Sequence, residues 1–138
     1  GKVYQDKGDY KAKAEEVITE LYGFKEGMEV LFKPTKASEV PIRHDYDQAV
    51  SYFVGAAAAG DEIGIKEDKG FAINPWTAVR FENSKTILNA DSATAMGEYY
   101  FTTLEGTVAK VEYTFQYKRG ADGNLKIVVH HSSLPYSP

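Results

Sequence analysis

Two segments in the first half of the chain repeat apolar residues at the spacing of an amphipathic helix. In residues 9 to 22 the apolar side chains recur at three- and four-residue steps; they are Tyr10, Ala14, Val17, Ile18 and Leu21. Asp9 is the expected N-cap of this helix and Gly23 its expected stop. A second helix is predicted from Asp45 to Val54, with Gly55 near its end.

The second half of the chain alternates β-branched and aromatic residues with short polar turns. This pattern predicts strands near residues 76 to 82, 85 to 89, 93 to 103, 107 to 118 and 124 to 134. Because the intervening turns are short, including one at Asn83-Ser84, we expect an antiparallel meander. An earlier short strand ends at Pro34, which leaves Thr35 at a strand end. The glycine-rich stretch from Gly55 to Gly70 is predicted to be a loop.

Helices followed by a long meander indicate an α+β fold, with the helices packed in the concave face of a curved sheet. The 138 residues suit a single domain, 1-138, which could also be one unit of a longer or tandem protein. The net charge of -4 comes without any basic cluster, so nucleic acid is not an expected partner. No apolar run is long enough to span a membrane. The absence of cysteine excludes disulfides, thiolate metal sites and cysteine nucleophiles.

The last predicted strand carries the densest candidate chemistry, His130-His131-Ser132-Ser133. Side chains on a strand alternate between two faces. A lysine at position 126 belongs in water, so the opposite set, which includes His131 and Ser133, is predicted to face the interior. The competing explanation is that both side chains only satisfy backbone groups at a strand end.

The sequence offers few residues for a metal site, a hydrolase triad or a nucleotide-binding site. Adjacent histidines on a strand diverge, so zinc would need an arrangement of His44, His131 and a carboxylate. No G-x-S-x-G elbow supports a hydrolase triad, and no glycine-rich phosphate loop supports a nucleotide cofactor. Tyr52 lies at the flank of the second helix, from which its hydroxyl could point either into the cavity beneath the helices or to the surface.

Several segments, taken in order, resemble the iota-class carbonic anhydrases of bacteria and algae. They are Leu31-Phe32-Lys33-Pro34-Thr35, Ala49-Val50-Ser51-Tyr52-Phe53-Val54-Gly55, Asp68-Lys69-Gly70-Phe71-Ala72-Ile73, Val79-Arg80-Phe81-Glu82-Asn83 and His130-His131-Ser132-Ser133-Leu134-Pro135. The resemblance covers nearly the whole chain, and its most specific part is the His-His-Ser-Ser-x-Pro ending. The stretch from Gly55 to Ile65 departs from the pattern.

The resemblance implies the cone-shaped fold of the nuclear transport factor superfamily, commonly a homodimer through the sheet face. It implies reversible hydration of CO₂ to bicarbonate with no metal or other cofactor. It also implies a plastid location in an alga, or the cytoplasm or periplasm of a bacterium. The positions carried over are Thr35, Tyr52 and a serine of the terminal motif, as hydroxyls that hold bicarbonate. Strand alternation selects Ser133 over Ser132, and His131 accompanies it.

Without a metal, the mechanism cannot rest on free hydroxide. Zinc lowers the pKa of water from 15.7 to ~7, so forming hydroxide without it costs on the order of 12 kcal/mol more. We therefore expect water to attack CO₂ while His131 takes its proton and hydroxyl donors stabilise the growing charge. Two alternatives remain open: a pocket for a small organic ligand or an isomerase-type reaction, and an oligomerisation module.

Overall fold

The computed structural model describes residues 9–74 and 76–138. In these residues, the helices and 3₁₀ turns all precede the four long strands in chain order. The helices are α1 (Tyr10–Leu21), α2 (Tyr46–Val54) and α3 (Ala56–Ala59), with 3₁₀ turns at Gly23–Glu26 and Phe71–Ile73. The strands are β1 (Leu31–Lys33), β2 (Ala78–Leu88), β3 (Ser92–Thr102), β4 (Val108–Arg119) and β5 (Leu125–Ser133). The two longer helices therefore form where the apolar spacing predicts them.

Side chains cap both of these helices at their N-termini. The Asp9 carboxylate accepts a hydrogen bond from the Ala12 amide, and Asp45 does the same for Gln48. These contacts satisfy amides that have no partner within the helix, which confirms the predicted Asp9 cap. At the other end of α1 the C-cap is Tyr22, one residue before the predicted stop at Gly23.

Five strands form one sheet in the order β1-β5-β4-β3-β2. The antiparallel meander is confirmed for β2 to β5. β1 pairs with β5 in the parallel direction, with Phe32 opposite His130, so the sheet is mixed. A parallel pair needs a long connection, and α2, α3 and strands β2 to β4 lie between these two strands in the chain. This pairing brings the end of β1 beside the terminal His-His-Ser-Ser motif.

β2 is one strand where two were predicted. Asn83 pairs with Gly97 and Lys85 pairs with Met96, which leaves Ser84 as an extra residue. The predicted turn at Asn83-Ser84 is therefore wrong, because the chain accommodates these polar residues in a β-bulge and continues in the same direction.

A second bulge lies in β5, just before the terminal motif. Tyr117 pairs with Ile127 and Gln116 pairs with Val129, so Val128 has no partner position on β4. An extra residue shifts the alternation of side chains by one position. Ile127 and His130 consequently share one face of the sheet, although regular alternation would separate them.

The helices cover one face of the sheet, which we call the helix-covered face. Its strand residues in the apolar core are Phe32, Tyr99, Phe101, Val111, Tyr113, Phe115 and Ile127. The opposite, open face carries the ion pairs Arg80–Glu82 and Lys110–Glu98. In the described residues, no helix is long and apolar enough to cross a membrane.

The predicted loop from Gly55 to Gly70 has more structure than expected. It includes the short helix α3, and Asp68 within it is buried. The amide of Ala56 donates to the carbonyl of Asp68, which closes the segment against the end of α2. The loop is thus held beside the helix that carries Tyr52.

Candidate active site

Thr35 and Tyr52 meet at the end of β1, as the sequence analysis expected of two site residues. Tyr52 is 4 % exposed, so its hydroxyl faces the interior rather than the surface. Its oxygen accepts a hydrogen bond from the Lys36 amide at 3.3 Å and interacts with the Thr35 side chain. Burial raises the pKa of Tyr52 to about 12, so the phenol stays protonated at neutral pH.

A second polar group lies on the sheet itself. His130 Nε2 is 3.1 Å from both Tyr99 Oη and Ser132 Oγ. The Tyr99 and Ser132 hydroxyls also hydrogen-bond to each other. On the other side of the ring, His130 Nδ1 is 2.6 Å from Tyr22 Oη. Three side chains on β3 and β5 and one from the end of α1 thus form a continuous buried network.

The predicted orientation of the terminal motif is wrong. His130 is 8 % exposed and Ser132 is 2 % exposed, whereas His131 is exposed and Ser133 is partly so. The bulge at Val128 reverses the alternation on which the prediction rested. The premise about Lys126 also fails, because its ammonium group is withdrawn from water and donates to the Glu20 carbonyl at the end of α1 at 2.7 Å. The structure therefore places His130 and Ser132 inside, not His131 and Ser133.

The His130 ring is clamped between aromatic rings and held neutral. Its centroid lies 4.2 Å from that of Phe115 and 5.0 Å from that of Phe32, both in stacked arrangements. Burial, with a smaller contribution from His131, lowers the pKa of His130 to about 3. At neutral pH this imidazole is uncharged and a weak base, so it is suited to organising hydrogen bonds.

The two polar groups share Phe32 as an aromatic neighbour. Phe32 stacks on His130 and meets the Tyr52 ring edge-on at 5.7 Å. Tyr99 also contributes to the raised pKa of Tyr52, because a negative charge on one phenol would oppose a negative charge on the other. The hydroxyls of Thr35, Tyr52, Tyr99 and Ser132 thus belong to one region between helices and sheet.

Two cavities border this region. A cavity of about 270 Å³ is lined in part by Tyr52, Lys36, Glu67 and Phe71. A wider cleft of about 820 Å³ runs between α1 and the sheet, and Tyr99 and His130 contribute to its mostly apolar wall. A small, weakly polar molecule such as CO₂ can lie against such a wall while hydroxyl groups reach its oxygens.

Metal-ligating side chains are not grouped in the part of the chain that the structure describes. Across residues 9–74 and 76–138, no three His, Asp or Glu side chains come together as a metal site. His44 is exposed, and its backbone amide donates to the Gln48 side chain. The alternative zinc arrangement of His44, His131 and a carboxylate therefore does not form among these residues.

Comparison with known proteins identifies the family. The family model for metal-independent carbonic anhydrases matches residues 1–134. The chain belongs to this family. The metal-independent carbonic anhydrase of Nostoc sp. strain PCC 7120 is 40% identical over 131 residues, which cover 94% of this chain and 61% of the relative. The chain thus spans about three fifths of the length of that relative.

A solved structure carries the same fold over the same length. The crystal structure of a cyanobacterial iota-carbonic anhydrase complexed with bicarbonate superposes with a TM-score of 0.88 at 38% identity, and the match covers 99% of this chain and 82% of that one. A putative ketosteroid isomerase from Parabacteroides distasonis matches with a TM-score of 0.59 at 16% identity, over 88% of this chain and 75% of that one. The latter likeness shows the fold alone.

Tyr22 and Tyr99 are members of the buried network that the sequence analysis did not single out. Tyr22 lies four residues after Ile18, so it continues the apolar stripe of α1 and could have been found from that spacing. On β3, Tyr99 alternates with the charged Glu98 and shares a face with Ala95. His130 and Ser132 had no comparable signal, because the bulge at Val128 is a property of the pairing between β4 and β5.

Proposed function

We propose that this protein catalyses the reversible hydration of CO₂ to bicarbonate without a metal ion. The observation that carries the proposal is the set of hydroxyl groups of Thr35, Tyr52, Tyr99 and Ser132 gathered between helices and sheet. The chain matches a relative whose structure contains bicarbonate with a TM-score of 0.88, which supports the same substrate here.

Hydroxyl donors suit the charge changes of this reaction. As water attacks the carbon of CO₂, negative charge develops on its oxygens, and fixed O–H groups in a water-poor site stabilise that charge. Burial raises the pKa of both Tyr52 and Tyr99 to about 12, so both phenols retain their protons for donation. Their positions are set before substrate arrives, so little reorganisation is needed during the reaction.

The proton of the attacking water needs an acceptor other than His131. His131 is exposed, and the pKa of the buried His130 is lowered to about 3, so neither is a strong base inside the site. We propose a hydroxyl relay in which the water proton passes to the Ser132 oxygen while the serine proton passes to an oxygen of CO₂. The product is carbonic acid, which ionises to bicarbonate and a proton, so atoms and charge balance without a charged intermediate.

Stopped-flow CO₂ hydration with a pH indicator tests this proposal, on protein dialysed against a strong chelator and checked for metal content. We expect activity to survive chelation. Activity that disappears and returns with zinc or manganese would contradict the metal-free mechanism. If no activity is found with or without metal, the apolar cleft of about 820 Å³ would instead favour the small-ligand alternative.

Neighbouring serines of the terminal motif provide a matched pair of variants. Ser132→Ala removes a buried hydroxyl of the site and is expected to lower kcat about 10²-fold, as is Tyr52→Phe. Ser133→Ala, one residue away on the same strand, should change kcat less than threefold. The reverse ranking of the two serine variants would contradict the orientation seen in the structure and return Ser133 and His131 to the site.

We also propose that two copies associate through the open face of the sheet. Ile87, Met96 and Val108 alternate with the helix-covered residues of their strands, and each is more than half exposed. Charges of both signs surround them, including Arg80, Glu98 and Lys110, so the face can complement a second copy of itself. Burial of these apolar side chains would favour a homodimer.

A further inference from the structure

The buried network around His130 contains four polar hydrogens, and its internal hydrogen bonds can use only three of them. Tyr22, Tyr99, His130 and Ser132 are 5 %, 6 %, 8 % and 2 % exposed, so each polar hydrogen must find its partner inside the protein or on a bound substrate. Counting these hydrogens therefore shows which of them remain for a substrate.

The Tyr22 hydroxyl determines which imidazole nitrogen carries the hydrogen. Within the described residues, the hydrogen-bond partner of Tyr22 Oη is His130 Nδ1, at 2.6 Å. Burial raises the pKa of Tyr22 well above its ordinary value, so this phenol keeps its proton and must donate it. Donation to Nδ1 requires a free lone pair there, which places the single hydrogen of the neutral ring on Nε2.

The lengths of the two sets of contacts argue against the opposite tautomer. If Nδ1 carried the hydrogen, it would donate to Tyr22 Oη across 2.6 Å, which is shorter than N–H···O hydrogen bonds usually are and suits a hydroxyl donor. The contacts of Nε2, at 3.1 Å, have the length of hydrogen bonds donated by N–H. A 180° flip of the ring offers no alternative, because it would put Cδ2 and Cε1 at the positions of the two nitrogens, and Phe115 and Phe32 stack on the ring at 4.2 Å and 5.0 Å.

With the hydrogen on Nε2, the hydrogen bonds among Nε2, Tyr99 and Ser132 leave one hydroxyl proton without an acceptor. Nε2–H donates to the oxygen of Tyr99 or of Ser132, both 3.1 Å away. One of the two hydroxyl protons fills the hydrogen bond between Tyr99 and Ser132. The second hydroxyl proton has no acceptor in this triangle. In the other tautomer Nε2 would accept it, and the proton left over would be that of Tyr22, on the far side of the ring.

We infer that Tyr22 is a positioning residue that holds His130 in the Nε2–H tautomer and thereby frees one hydroxyl proton of the Tyr99–Ser132 pair for donation to substrate. The link to catalysis rests on the proposed function, in which that proton reaches an oxygen of CO₂ or bicarbonate. Tyr22 acts through His130 and does not need to touch the substrate.

Nitrogen-15 NMR of the histidine rings in the wild-type protein tests the tautomer directly. The His130 ring signals are assigned by comparison with His44→Gln and His131→Gln variants. We expect a protonated Nε2 and an unprotonated Nδ1 at neutral pH. A protonated Nδ1 in the wild-type protein would overturn the inference, and this measurement does not depend on any variant of Tyr22 folding.

Tyr22→Phe then tests the effect on the reaction. Removal of the hydroxyl should give a mixture of both tautomers in the NMR spectrum and lower kcat about 10-fold, with a smaller change in KM. The control is Tyr46→Phe, which removes a partly buried hydroxyl that donates to the Glu15 carbonyl and lines neither cavity; it should leave both the tautomer and kcat unchanged. A Tyr22→Phe protein that keeps the pure Nε2–H tautomer would overturn the inference, whereas an inactive wild-type protein with the expected tautomer would overturn the proposed function alone.

Discussion

Arg43 and Asp68 form a buried ion pair behind the candidate site. Arg43 is 0 % exposed, and its guanidinium donates to both carboxylate oxygens of Asp68, at 2.6 Å and 2.8 Å. Asp68 also accepts a hydrogen bond from the Ser51 hydroxyl, next to Tyr52 on α2. A bidentate ion pair fixes both the position and the orientation of the two side chains. It therefore holds the helix that carries Tyr52 against the segment after β1.

Asp68→Asn should destabilise the protein strongly, because it leaves the buried Arg43 without its main counter-charge. We expect the free energy of unfolding to fall by about 3 kcal/mol or more, measured by urea denaturation. Asp61→Asn, an exposed aspartate in the same loop, is the control and should change stability by less than about 0.5 kcal/mol. Equal effects of the two variants would show that the pair contributes little.

At the scale of elements, the loop of residues 34 to 42 carries Thr35 and is fixed at both ends. Phe32 and Arg43 exchange two backbone hydrogen bonds of 2.7 Å, which close its base. The Glu67 carboxylate accepts hydrogen bonds from three consecutive amides at its tip, those of Ser38, Glu39 and Val40. The site therefore depends on a loop that is held by one carboxylate from the neighbouring loop.

The ionisation of Glu67 should make part of the stability depend on pH. Hydrogen bonds from the Ser38 and Val40 amides are the main cause that lowers the pKa of Glu67 from 4.5 to about 2. A lowered folded-state pKa adds stability above pH 4.5, and that contribution is lost as pH falls toward 2. Glu67→Gln should thus be less stable than wild type at pH 7, and the difference should shrink between pH 4.5 and 2.

Urea unfolding midpoints measured across that pH range check this expectation. Glu62→Gln serves as the control, since Glu62 is exposed in the same segment, and its difference from wild type should stay small at every pH. If the difference in stability between Glu67→Gln and wild type is the same at every pH, the carboxylate charge does not hold the loop.

At the scale of the whole molecule, the two faces of the sheet differ in what they contact. The helix-covered face forms the core and the candidate site, while the open face exposes Met96 near the centre of β3. An exposed methionine among paired charges is typical of a surface that another protein covers. The proposed dimer would bury this face and leave the clefts on the other face accessible.

Met96→Glu should separate the proposed dimer, because it places a like charge from each copy in an apolar contact. Light scattering after size exclusion is expected to give a dimer mass for wild type and a monomer mass for the variant. Leu104→Glu is the control, since Leu104 is equally exposed but lies in the turn between β3 and β4. A wild-type monomer, or a variant that remains a dimer, would contradict the open face as the interface.

The sequence by itself determined the features that depend on local pattern. The helices α1 and α2, strands β3 to β5 and the position of Thr35 at a strand end follow from apolar spacing, capping residues and proline. The ordered motifs also sufficed to indicate the family. Each of these signals lies within a few consecutive residues, so no knowledge of distant partners was needed.

Only the tertiary structure decided which residues of the terminal motif face inward. The bulges at Ser84 and Val128 arise from the register between neighbouring strands, and no residue within either strand specifies them alone. One extra residue reverses every later side chain, so His130 and Ser132 take the interior places predicted for His131 and Ser133. Strand pairing over the whole sheet, rather than local alternation, therefore determined the composition of the site.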